Sequence, residues 1–160
     1  MGEGPTAKVT AQGVPSVYNF WSALQQKLSI PAVAADTAGP SITVPSIFPS
    51  GKTIKRVELI IKYRKVVDAS GSANKIKGNQ NIQVKEADAG TWTTGITLKD
   101  DMMAVGASSE SGGDVIIGDT DVKAEVDADN DTYAVQIASA LADGATLDLQ
   151  DVQFGLRLTI

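Results

Sequence analysis

Within residues 53–67 apolar side chains recur at every second position from Val57 to Tyr63, a pattern that fits a strand with one face in a core and the other in water. Val57, Leu59, Ile61, Tyr63 and Val67 fall on one side, and Arg56, Glu58, Lys62 and Arg64 on the other. The chain closes on the same grammar. Val152, Phe154, Leu156, Leu158 and Ile160 alternate with Gln153, Gly155, Arg157 and Thr159, which predicts a last strand running to the final residue.

Shorter segments repeat the pattern at 42–47, 82–85, 92–98, 115–117, 122–126 and 132–138. Turn residues bound them: Gly71-Ser72, Gly78-Asn79, Gly112-Gly113, Asp129-Asn130-Asp131 and Asp143-Gly144, the last a hairpin signal. About eight strands with uneven loops predict an all-β fold, an antiparallel two-sheet β-sandwich of jelly-roll type, with an immunoglobulin-like sandwich as the alternative. No fixed-period repeat is present.

The first forty residues read differently. Val17, Phe20 or Trp21, Leu24 and Leu28 recur at helical spacing behind Ser16, a candidate N-cap, and the run stops at Ile30-Pro31. A short amphipathic helix is expected there, followed by a Pro- and Ala-rich linker over 31–40. This divides the chain into an N-terminal arm, 1–40, and a β-sandwich domain, 41–160.

Composition narrows the chemistry. Apolar residues make up 42%, enough for a substantial core. Fourteen basic against nineteen acidic residues leave a net charge of −5, which argues against nucleic acid as a partner. The basic residues of 52–65 alternate with apolar ones and so belong to the wet face of a strand. Neither histidine nor cysteine occurs, which removes Ser-His and Cys-His catalysis, disulfides and Cys-ligated metals. Gly112-Gly113 lacks the Lys-Ser/Thr of a phosphate loop and reads as a turn. Carboxylate catalysis would draw on Asp100, Asp101, Glu110 and Asp114, but no signature pairs any two of them, and the expectation is that the chain is not an enzyme.

Three candidate sites remain. Asp127, Asp129 and Asp131 have the alternate spacing that opens a calcium loop, but Thr132 stands where that loop needs glycine and Ala138 where it needs a bidentate glutamate. The competing reading is an Asp/Asn-rich hairpin tip. Trp92 is a candidate platform for a sugar ring, against a role in core or edge packing. Phe20, Trp21 and Leu24, on the expected helix, are candidates for a subunit interface because such side chains have little reason to face water. No cofactor is expected apart from calcium at the aspartate cluster.

The opening Met1-Gly2-Glu3-Gly4-Pro5 lacks the basic start and apolar run of a secretion signal, and no stretch reaches the ~18 apolar residues of a membrane span. No membrane partner is expected. Residues 113–123, GDVIIGDTDVK, together with 142–160, ADGATLDLQDVQFGLRLTI, resemble small β-rich structural proteins of the virions of tailed phages and prophages. That resemblance spans roughly 41–160. It implies a jelly-roll subunit that decorates a capsid or sits in a tail or head–tail connector, as a homo-oligomer in contact with itself and other virion proteins, and a virion location. The alternative function is a carbohydrate- or cell-surface-binding sandwich module.

Overall fold

A computed structural model of the chain describes residues 15–45, 53–68, 74–75, 80–98, 104–105, 110–126, 131–140, 142 and 146–160. Among them are fourteen strands and no helix. The first half supplies β1 (Val17–Trp21), β2 (Gln25–Ile30), β3 (Ala35–Ala38), β4 (Ile42–Val44), β5 (Arg56–Lys62), β6 (Lys65–Asp68) and β7 (Asn74–Lys75). The second supplies β8 (Gln80–Glu86), β9 (Thr93–Leu98), β10 (Ala104–Val105), β11 (Glu110–Gly112), β12 (Val115–Ile117), β13 (Asp131–Ala140) and β14 (Leu147–Thr159).

Every pairing is antiparallel, and they build two principal sheets and one small β7–β10 ribbon. In the first sheet the long β14 is the spine. β1 and β2 line up end to end along one edge of it, and β5 and β6 along the other. β12 and β11 continue outward along β5 and β6. In the second sheet β3 and β4 share one edge of β13, with β8 and then β9 beyond. Joining the end-to-end pairs leaves eight ribbons in chain order, counting β1–β2 as the first and β14 as the eighth. The first sheet then runs first, eighth, third, sixth, and the second runs second, seventh, fourth, fifth.

The ribbons of the first sheet are interrupted along one transverse line. Asp151, residues 63–64 and residues 113–114 lie on it, and residues 22–24 break the β1–β2 edge a little further along, opposite Gln153 and Phe154. Asp151 takes φ 51°, an αL conformation that an aspartate adopts more readily than most residues. Hydrogen bonds carry the ladder across the break: Tyr63 N to Asp114 O at 3.2 Å and Arg64 N to Gln150 O at 2.9 Å. Ser22 bridges the β1 side, its Oγ accepting from Phe154 N at 3.1 Å.

Between the sheets the inward residues form one core. Leu59, Ile61, Phe154, Leu156 and Leu158 from the first sheet meet Ile82, Val84, Tyr133, Val135 and Ile137 from the second. Complete burial of such a side chain contributes about 1.5–3 kcal/mol. Close approach is secured at Gly39, where a Cβ would strike the Phe154 ring at 2.5 Å, and at Gly95, where it would meet Leu59 at 2.6 Å.

The all-β expectation holds, as does the inward set of the last strand, which is buried from Val152 to Ile160. Several local expectations are corrected. The helix over Val17, Phe20, Leu24 and Leu28 is two strands, β1 and β2. Its apparent helical period arises because two period-two segments are separated by the three residues 22–24, where β1 and β2 shift register by one against β14. The expected linker contains β3, which pairs with β13. Val67 is not in line with Tyr63: the interruption at 63–64 moves the phase by one, so Val66 and Asp68 are buried instead. The segment 122–126 is a turn, closed by Glu125 N to Val122 O at 3.0 Å, with Val122 and Val126 as its two buried anchors. Asp143-Gly144 lies outside the described residues, and the strands on either side, β13 and β14, belong to different sheets and do not form a hairpin.

Candidate interaction face

The outer face of the first sheet is where the chain departs from ordinary strand chemistry. Cross-strand registry places Trp21, Gly155, Ile60 and Ile117 in one row across β1, β14, β5 and β12. Gly155 has no side chain, and the Trp21 ring occupies the space above it: a Cβ there would come within 2.7 Å of Trp21 Cε3 and 3.0 Å of Ile60 Cγ1. The Lys62 ammonium lies 4.2 Å from the centroid of the indole, within cation–π range. Val115 and Ile117 on β12 are 56% and 48% exposed, and Val17 on β1 is 44% exposed. Val17, Trp21, Ile60, Val115 and Ile117, with Asn19 and Arg157, line a hollow of about 160 Å³.

Charged groups rim this apolar strip. The next row toward the chain end holds Asn19, Arg157 and Glu58. The Glu58 carboxylate receives Arg56 Nε at 3.0 Å and lies 3.7 Å from Arg157 Nε. On the other side of the strip, at the break line, Lys62, Tyr63, Arg64, Gly113, Asp114, Val115 and Asp151 line a second, shallow cleft of about 330 Å³. Arg64 pairs there with Asp151 and donates to Gln150 Oε1 at 3.0 Å. Burial, and secondarily the Asp114 carboxylate, push the Tyr63 hydroxyl up to about 12. Beyond the line the outer surface is ionic, with Lys27–Asp148 at 2.8 Å and Lys65–Glu110 at 2.6 Å. The Lys65 bond holds the Glu110 carboxyl below its usual range.

The three residues expected to form an interface separate. Phe20 turns inward and packs against the core, Trp21 sits on the outer face, and Leu24 is 56% exposed in the connection between β1 and β2. Alternation along β1 sends neighbouring side chains to opposite faces, so Phe20 and Trp21 cannot share a surface. Trp92 immediately precedes β9 of the other sheet, with Lys85 Nζ 5.3 Å from its ring. Nearby, Gln136 Nε2 donates to Gln83 Oε1 at 3.0 Å and Gln83 Nε2 to Thr94 Oγ1 at 3.4 Å.

Of the calcium candidates, Asp127 and Asp129 lie outside the described residues. Asp131 opens β13, where its Oδ1 accepts from Thr132 N at 2.6 Å. Among the described residues no three acidic side chains gather as a metal site. Asp100 and Asp101 also lie outside the described residues; Glu110 is tied to Lys65, and Asp114 Oδ1 accepts from Val115 N at 2.7 Å. No helix among the described residues is long and apolar enough to cross a membrane.

Sequence reasoning misses Val115 and Ile117, which expose the strip, and Ile60, which lies buried beneath it. Their signal is present in Leu59-Ile60-Ile61 and Val115-Ile116-Ile117: three successive apolar residues in a strand put at least one on the outer face. No known family model matches this chain, and no curated protein matches it.

Proposed function

We propose that this chain is a non-enzymatic jelly-roll subunit that assembles through the outer face of its first sheet, as a structural component of a virion: a capsid decoration, head–tail or tail protein. The jelly-roll reading is supported by the ribbon order, first-eighth-third-sixth facing second-seventh-fourth-fifth, which is that of two Greek keys wrapped into a double sheet. The assembly reading rests on one observation: Trp21, Val115 and Ile117, with the buried Ile60 beneath them, form an apolar strip that this chain alone leaves partly in water. Contiguous exposed apolar surface marks an interaction site. The virion assignment rests on the resemblance of residues 113–123 and 142–160 to tailed-phage structural proteins. Absence of histidine and cysteine agrees with a structural role.

The test is solution mass by light scattering at micromolar concentration. A discrete oligomer that Ile117→Glu dissociates is the expected result; a monomeric wild-type protein overturns the assembly reading.

A second reading, a carbohydrate-binding module, draws on the other sheet. Trp92 stands there beside the uncharged, hydrogen-bonded row Gln136, Gln83 and Thr94, groups able to meet sugar hydroxyls. A glycan array, with Trp92→Ala as control, decides it: no binding removes the reading.

A further inference from the structure

We infer that the outer face of the first sheet pairs with the same face of a second copy about a two-fold axis that runs parallel to β14 and β5 and midway between them, so that Trp21 packs on Ile117 and Arg157 meets Glu58 across the interface. This rests on the assembly reading and specifies its geometry.

An interface between identical faces must be complementary to its own reversal. An axis along the two central strands sets β14 of one copy over β5 of the other, and β1 over β12. The apolar row then reads Trp21 against Ile117 and Gly155 against Ile60. The Trp21 ring lies over Gly155 and covers Ile60, so the exposed Ile117 of the second copy is the side chain that lands on the indole. The adjoining row sets Arg157 against Glu58 twice, once on each side of the axis. The Lys62 row sets that ammonium against Gln153. In these three rows no like charges meet, and the two sheets stack with their strands aligned, the arrangement that twisted sheets favour.

An axis turned through a right angle, along the apolar row, would set Arg157 against Gln153 and Val115 against the acidic stretch that follows β12. A head-to-tail contact would bring this face against a different one. Both leave Arg157 and Glu58 without each other across the interface, which gives the test its power.

Two variants, Arg157→Glu and Glu58→Arg, each place like charges across the proposed interface, and each is expected to raise the dissociation constant about tenfold or more. Mixed one to one they restore opposite charges on both sides of the axis. The expected result is two monomeric variants that form a dimer of mixed composition, read by light scattering and native mass spectrometry, with circular dichroism confirming that each is folded. Loss of the intrachain Arg157–Glu58 pair is common to both variants and is not repaired by mixing, so recovery reports the contact between copies.

If either charge variant does not fold, cross-linking takes its place, since the chain has no cysteine of its own. Thr159→Cys, beside the axis, is expected to link to itself through a short bifunctional maleimide; Val17→Cys, in the same row at the sheet edge, is not. An oligomeric wild type whose mixed variants stay apart, or whose Thr159→Cys form does not link, overturns the two-fold geometry and leaves assembly standing. A monomeric wild type overturns both.

Discussion

Gly118 and Gly95 touch where the two sheets meet: a Cβ on Gly118 would lie 2.2 Å from the Gly95 carbonyl oxygen. The Gly118 amide donates to the Leu59 carbonyl at 2.8 Å, so the backbone cannot move away without losing that bond. Gly118→Ala is therefore expected to destabilise the fold by about 2 kcal/mol or more, within the range for overpacking a tight contact. A thermal melt unchanged within about a degree would show that the seam relaxes freely.

Asp121 acts as a substitute strand partner for β5. Its Oδ1 accepts from Val57 N at 3.0 Å and from Lys123 N at 3.1 Å, and the Val57 bond is the chief reason its carboxyl lies below the usual range. A folded-state value below the unfolded one gives stability that is present above the unfolded value and lost as pH falls through the folded one. Asp121→Ala leaves the Val57 amide without that acceptor and is expected to cost about 1–3 kcal/mol in urea unfolding at neutral pH. Asp121→Asn retains an oxygen acceptor, and its expected loss is smaller. Equal losses from the two variants would show that charge matters more than the hydrogen bond.

Tyr63 links stability to alkaline pH. Its ring is buried at the break line and its hydroxyl is pushed up to about 12, above the ordinary value of 10.0, by burial and by Asp114. The folded state therefore holds the proton more tightly than the unfolded chain. Its contribution is complete below pH 10 and is lost as pH rises from there toward 12. Urea midpoints measured across that interval are expected to fall more steeply for the wild type than for Tyr63→Phe. Identical slopes would mean that the phenol ionises as freely folded as unfolded.

Assembly has an optical signature, because the chain has two tryptophans, one on the first sheet and one immediately before β9 of the second. In a Trp92→Phe variant the remaining emission reports Trp21 alone. Burial of the strip against another copy predicts a blue shift of that emission with rising protein concentration, abolished by Ile117→Glu. A spectrum independent of concentration from nanomolar to micromolar would contradict an interface at Trp21.

Much of the inward surface was legible from the chain because alternation is a local property. Val57, Leu59, Ile61 and the run from Val152 to Ile160 can be assigned to the core from their own neighbours. Phase errors began where the strands break. Nothing near Tyr63 announces that Arg64 bends the ribbon, so Val67 looked buried and Val66 did not. The same cause produced the false helix: residues 22–24 add a three-residue interruption whose spacing imitates a helical turn. In 122–126 the two valines do enter the core, but from the ends of a turn, a geometry that serves burial as well as a strand does.

The candidate face was half legible. The helical spacing groups Trp21 with Phe20 and Leu24 as one apolar face, but Phe20 and Leu24 share its sequence locality and not its surface. Ile60 and Ile117 join it through registry with β14, β5 and β12, pairings that connect residues far apart in the chain.

Composition and period settle that this chain makes strands, that it lacks histidine and thiol chemistry, and which residues of its longest strands enter the core. Those follow from residue type and from the alternation of side chains about an extended backbone. The order of the ribbons, the break line through Asp151, the close contact at Gly118 and the apolar strip beneath Lys62 needed the tertiary structure. Each depends on which distant strand lies alongside, and two strands with the same alternation carry no local record of their partner.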